Sequence, residues 1–269
     1  MVRIFTDGFE PYGLWGFIGS LTEGVIGILT NCSGVPEPAY MAIIHHDDGP
    51  MCCLPDRQNL ESIHRRGIII PKEDKLSHIV YLGTEAVRWS QWIYQLSHEV
   101  CHSLTGGRLS GEMRGLKWFE ECLCEAASLF CLSKISNPTI WRQWGYPRYA
   151  PCVQSYLDNH LSGSLHLRRQ YYSWNDLEQH QGIRPWLDAL GETSTRGMTE
   201  CQRTLCNAVA SVLLPAFLRS PRLWRIIGHI GDSEKWRSLE EFLSHLESEM
   251  PETFHADLSE LSRILLGKS

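Results

Sequence analysis

Two histidines and a glutamate sit at a spacing that suits hydrolytic chemistry. In Gln95-Leu96-Ser97-His98-Glu99-Val100-Cys101-His102 the histidines are four residues apart. On a helix such positions lie one above the other, so His98 and His102 can offer ring nitrogens to one cation with Glu99 beside them. A zinc ion held this way activates water while the neighbouring carboxylate takes its proton. The pattern is short enough to arise by chance, so the flanks decide. Trp89, Trp92, Ile93, Leu96 and Val100 recur at three- and four-residue steps. They predict a helix with one apolar stripe and the histidine pair on the opposite side.

Residues 105 to 116 carry glycines at 106, 107, 111 and 115, too many to continue a helix, and predict a turn-forming connection. A second helical pattern starts at Lys117, with Phe119, Leu123, Ala126 and Phe130 as its apolar face. Glu121 and Glu125 are four apart and share the other side with Ser128, while Glu120 is rotated by about 100° and is expected to be an ordinary solvated residue. Two carboxylates therefore face where two imidazoles can face them.

At this point the chain resembles the gluzincin metallopeptidases, which include thermolysin and the aminopeptidase-N family. Those enzymes take two histidines from one helix and a glutamate from the next. Eighteen residues, 103 to 120, separate His102 from Glu121, and Trp118-Phe119-Glu120-Glu121 is similar to the Trp-x-x-Glu of the aminopeptidase-N group. The resemblance implies His98, His102 and Glu121 as zinc ligands, Glu99 as general base, and Glu125 as a carboxylate bonded to the first ligating histidine. It also implies an oxyanion donor from a later segment. Tyr146, Tyr149, His160, Tyr171 and Tyr172 are available, and Tyr149, across a proline-rich turn from the second helix, is the nominal choice. Glu125 stays open as an alternative third ligand, because Glu125-Ala126 followed by Phe130 also resembles the second segment of small zincin-like regulatory peptidases. The resemblance spans about residues 89 to 132, and no Gly-x-Met-Glu-Asn exopeptidase signature accompanies it.

The composition is that of an ordinary globular protein: 269 residues, 43% hydrophobic and 21% charged. A net charge of −6 and only isolated basic pairs argue against nucleic acid as a partner. Ten cysteines are expected to be core thiols, because the amino terminus lacks a basic stretch followed by an apolar run and cleavage site. A reducing, cytoplasmic setting follows as the expectation. Leu14 to Leu29 is largely apolar but is interrupted by Glu23 and crowded with glycines, so a loop-and-strand start is expected there and no membrane span.

The expected fold is α+β and mainly helical, with a zincin-like metallopeptidase core over residues 1–150 and a helical C-terminal subdomain over 151–269. Tyr40–Ile44, Gly67–Ile70 and His78–Leu82 are predicted strands of a small N-terminal sheet, the last being its edge and the docking line for an extended peptide. His45-His46-Asp47-Asp48 is expected to be a turn. Further on, a helix from Thr199 to about Leu214 is predicted to stop before Pro215, and Ser220-Pro221 to start another. Ser238 to Glu241 forms a capping box, and a last helix ends at Gly267. The function expected is hydrolysis of peptide bonds with one zinc ion as cofactor. The alternatives are a zinc amidase acting on a non-peptide substrate, and a non-catalytic helical binding or regulatory protein with a structural metal site.

Overall fold

The computed structural model describes residues 3–4, 15–36, 38, 40–47, 49–65, 76–85, 87–106, 115–171, 200–231 and 235–267. The fold is α+β and mainly helical, with a small sheet ahead of the principal helices.

The sheet has four strands, β1 (Arg3–Ile4), β2 (Met41–His45), β3 (Met51–Cys53) and β4 (His78–Leu82), in the order β1-β2-β4-β3. β1 and β4 run parallel to β2, and β3 pairs antiparallel with β4 through Met51 opposite Tyr81 and Cys53 opposite Ile79. Residues 78 to 82 form a strand as predicted, but they lie inside the sheet. Among the described residues the edge on this side is β3, which no strand prediction included. Chain order gives no strand order, and β3 is only three residues long.

Both faces of the sheet are covered, which is why β2 and β4 are apolar at almost every position. Successive side chains point to opposite faces. Met41, Ile43, Cys52, Val80 and Leu82 join the main core, while Ala42, Ile44, Ile79 and Tyr81 pack with Ile63 of α2 (Arg57–Arg65). The predicted strand at 67–70 lies outside the described residues.

The expected loop-and-strand start is instead a 19-residue helix, α1 (Trp15–Ser33). Ile18, Leu21, Val25 and Leu29 recur at helical steps and are fully buried, so packing overrides the low helix propensity of its glycines. Gly24 has a further use, since a Cβ there would stand 3.1 Å from the ring of Trp144. No helix among the described residues is long and apolar enough to cross a membrane.

Two helices form the centre. α3 (Trp89–Thr105) ends in the left-handed residue Gly106 (φ 67°), a conformation glycine adopts without steric cost. α4 (Lys117–Ile135) packs along α3 on one side. After α5 (Pro138–Gln143), the long helices α6 (Ala150–Tyr171) and α7 (Glu200–Arg219) cover the other sides of α4. One hydrophobic core runs from Ile18 to Leu265, through both halves of the chain.

α7 continues through Pro215 to Arg219, where the sequence predicted a stop. Leu213, Leu214, Ala216 and Phe217 are all buried around the proline, and their packing offsets the roughly 3 kcal/mol it costs in a helix interior. A 3-10 turn (Pro221–Ile226) leads into the short helix α8 (Ile227–Ile230). In α9 (Leu239–Glu249) the Ser238 hydroxyl accepts from the Glu241 amide, as the capping box predicts. Gly267 caps α10 (His255–Leu266). Among the described residues the cysteines are free thiols, and Cys52, Cys101, Cys122, Cys124, Cys131 and Cys206 are buried.

Candidate metal centre

His98 and His102 project from α3 with ring centroids 5.0 Å apart, and α4 meets them with a row of carboxylates. Glu121 Oε2 lies 3.3 Å from His98 Nε2 and 3.4 Å from His102 Nε2. Each histidine turns its other nitrogen to a different glutamate. His98 Nδ1 stands 3.5 Å from Glu125 Oε1, and His102 Nδ1 donates to Glu120 Oε1 at 2.8 Å. Both Nε2 atoms lie near Glu121 Oε2. The bond to Glu120 favours the Nδ1–H tautomer of His102, which leaves its Nε2 lone pair able to bind a metal.

These distances match a particular ion geometry. Separations of 3.3 and 3.4 Å are longer than good N–H···O bonds. Bonds of about 2.0–2.1 Å to a tetrahedral zinc set nitrogen and oxygen donors about 3.3–3.4 Å apart. Cys124 is also near, with its sulfur within 4.8 Å of a nitrogen of each histidine, so that His98, His102 and Cys124 form a group that could hold a metal ion.

The electrostatics describe a place built for positive charge. Burial disfavours imidazolium at His98, yet Glu125 and Glu121 overcome it and raise the pKa to about 9. Burial acts the same way on His102, and Glu121 and Glu120 raise it further still. Burial would push the Glu121 carboxyl up, but the two histidines hold it well below the ordinary range. His98, His102 and Cys124 could hold a metal ion, with Glu121 beside them.

Glu99 does not pair with the histidines in the same way. Burial raises its pKa, and Glu121 and Glu125 add to that against the pull of His98 and His102. α3, which carries it, packs against β4 and β3.

Two expectations are corrected by placement. Glu120 is 1% exposed, not solvated: besides His102 it accepts from Thr105 Oγ1 at 3.2 Å and pairs with Lys117 Nζ at 3.0 Å. α4 is covered on all sides, so its nominally polar face is inside the protein. Tyr149 does not reach the cluster. Its hydroxyl lies 3.4 Å from both the backbone nitrogen and the Oγ of Ser90, in the first turn of α3. Eight residues of helix, about 12 Å of rise, separate Ser90 from His98. Tyr146 packs beside Trp89 at that same end, and the Tyr171 side chain and Tyr172 lie outside the described residues. Of Tyr146, Tyr149 and His160, the last comes nearest the cluster. Its ring stacks on Tyr94 at 4.4 Å, and burial lowers its pKa against the opposing field of Glu125.

Four supporting residues escaped sequence reasoning. Tyr94, one helical turn before His98, donates its hydroxyl to Glu125 Oε2, and the Asn207 side-chain amide lies 3.2 Å from the same hydroxyl. Thr105 and Lys117 hold Glu120. The i, i+3 and i+4 spacing of Lys117, Glu120 and Glu121 was the available signal for a linked charge group. Nothing in the sequence marked Asn207. No protein-family model, no curated protein and no solved structure matches the chain.

Proposed function

We propose that this chain is a zinc-dependent peptidase with a zincin-like core. One observation carries the reading: a single oxygen, Glu121 Oε2, lies 3.3 and 3.4 Å from two histidine nitrogens whose partner nitrogens are each held by another carboxylate. His98, His102 and Glu121 would hold the ion, with Glu125 and Glu120 orienting the histidines. Zinc there would supply Lewis acidity, lowering the pKa of water toward about 7 and polarising a carbonyl.

The chain's own residues do the rest. Glu99 takes the proton of the attacking water and returns it to the leaving nitrogen, and its burial makes it a stronger base than a solvated glutamate. An extended peptide would dock beside β3, whose outer edge carries no strand among the described residues. His160 replaces Tyr149 as the preferred donor to the oxyanion, on its stacking against Tyr94. A short sheet with an antiparallel edge, followed by two packed donor helices, supports the likeness to the zincins.

A second reading has an observation of its own. If Cys124 closes the shell around the ion, the site has four protein donors and holds structure instead of substrate. Glu99 distinguishes the two, since a closed site has no use for a buried free carboxylate next to its ligands. The experiment is a cleavage assay of the zinc-loaded chain on a mixed peptide library, beside the Glu99→Gln variant. Cleavage by wild type alone, with zinc present in both proteins, supports the peptidase. Zinc in both and cleavage by neither favours the closed structural site.

A further inference from the structure

Lys117 is the most improbable residue at this centre. It is 5% exposed and occupies the first position of α4, where the helix dipole repels cations. Burying an ammonium group is expensive unless paired, and Nζ has no aligned hydrogen-bond acceptor. Its neighbours are two carboxylate oxygens, Glu120 Oε1 at 3.0 Å and Glu121 Oε1 at 3.6 Å. Such a lysine is retained for what its charge does to those oxygens.

The two oxygens of Glu121 face opposite ways. Oε2 faces both histidines, while Oε1 faces Lys117. We infer that Lys117 is a positioning residue that holds Glu121 Oε1 away from the ion, so that Glu121 donates through Oε2 alone and the centre keeps an open position. This inference rests on the metal-centre reading above. A carboxylate beside a divalent cation can otherwise swing to bind through both oxygens, filling a position that water or substrate needs. The ammonium is a compact point charge and competes for one oxygen without supplying a donor atom to the metal. It serves a second purpose through Glu120. By sharing Oε1 of Glu120 with His102 Nδ1, it helps to hold that carboxylate against the imidazole.

The consequence is specific to coordination number, which can be measured without any substrate. Cobalt(II) replaces zinc in such sites and reports geometry in its visible spectrum, absorbing strongly with four donors and weakly with five or more. The cobalt-loaded wild type is expected to absorb strongly. The Lys117→Met variant is expected to bind cobalt still and to lose most of that intensity, because Glu121 Oε1 is released to the ion. Lys117→Arg should restore it. The double variant Lys117→Met/Glu120→Gln removes the carboxylate orphaned by the first change and should show the same loss, which guards against misfolding of the single variant. Zinc K-edge X-ray absorption on the unmodified protein provides an independent test, with four donors and a monodentate carboxylate expected. A strong, wild-type-like cobalt spectrum in Lys117→Met, or a bidentate carboxylate in wild type, overturns the inference while leaving the metal centre standing. Failure of wild type to bind cobalt or zinc at all overturns the metal centre itself.

Discussion

The two ends of α3 have opposite surroundings. At its N-terminal end Trp89 stacks on Trp141 at 5.9 Å, and Tyr149 packs against both at 4.5 and 4.7 Å, with Phe17 and Tyr146 alongside. One turn past its middle, the same helix meets Glu120, Glu121, Glu125 and Lys117 with His98, Glu99 and His102. The first end gains from every buried ring. The second gathers charges whose desolvation cost their mutual attraction offsets only in part. A fold that needed only stability would make both ends alike, so the charged end is held in shape by the rest of the core for a reason other than stability.

That contrast can be broken in several places. The largest effect belongs to the aromatic end: Trp141→Ala removes a fully buried ring whose Nε1 donates to Ile135 O. It should cost about 3–5 kcal/mol in denaturant unfolding, by the same amount with and without zinc. Glu99→Gln leaves the ligands in place. Peptide hydrolysis should fall by about 10²–10⁴-fold in steady-state assays while the zinc content stays at the wild-type level. Glu120→Gln weakens the hold on His102 Nδ1 and should reduce zinc affinity by about 10–100-fold in a chelator competition. The smallest effect is expected for Tyr149→Phe, about 1 kcal/mol or less in stability and no change in zinc content or turnover. A Tyr149→Phe variant that unfolds normally yet loses turnover would return this residue to the site.

How much the sequence revealed follows the same division. α3 and α4 were legible almost to the residue, because His98, His102, Glu121 and Glu125 keep a helical spacing that no strand shares. Glu120 was misjudged because a helical wheel says which residues share a face and nothing about how many faces are covered. Glu120 lies instead against His102 and Thr105 of α3. In α1 the glycine count outweighed the 18, 21, 25, 29 spacing, although burial of those four side chains decides the local structure. Tyr149 was chosen by nearness in sequence to the second helix. The turn before α6 instead carries it to the far end of α3. Residues 78 to 82 were recognised as a strand from composition alone, yet their interior place depends on β3, whose three residues Met51, Cys52 and Cys53 give no periodic signal. Tyr94 and Asn207 act through contacts from α3 and α7 that only the packed structure brings together.

The central claim is that His98, His102 and Glu121 bind one zinc ion, and its most direct test is elemental mass spectrometry of the purified chain beside Glu121→Gln and Cys124→Ser. The account predicts about one zinc per chain in wild type and in Cys124→Ser, and loss of zinc in Glu121→Gln. Wild type that stays metal-free after reconstitution would contradict it. So would a Glu121→Gln protein that keeps its zinc while Cys124→Ser loses it, which would make Cys124 the third donor.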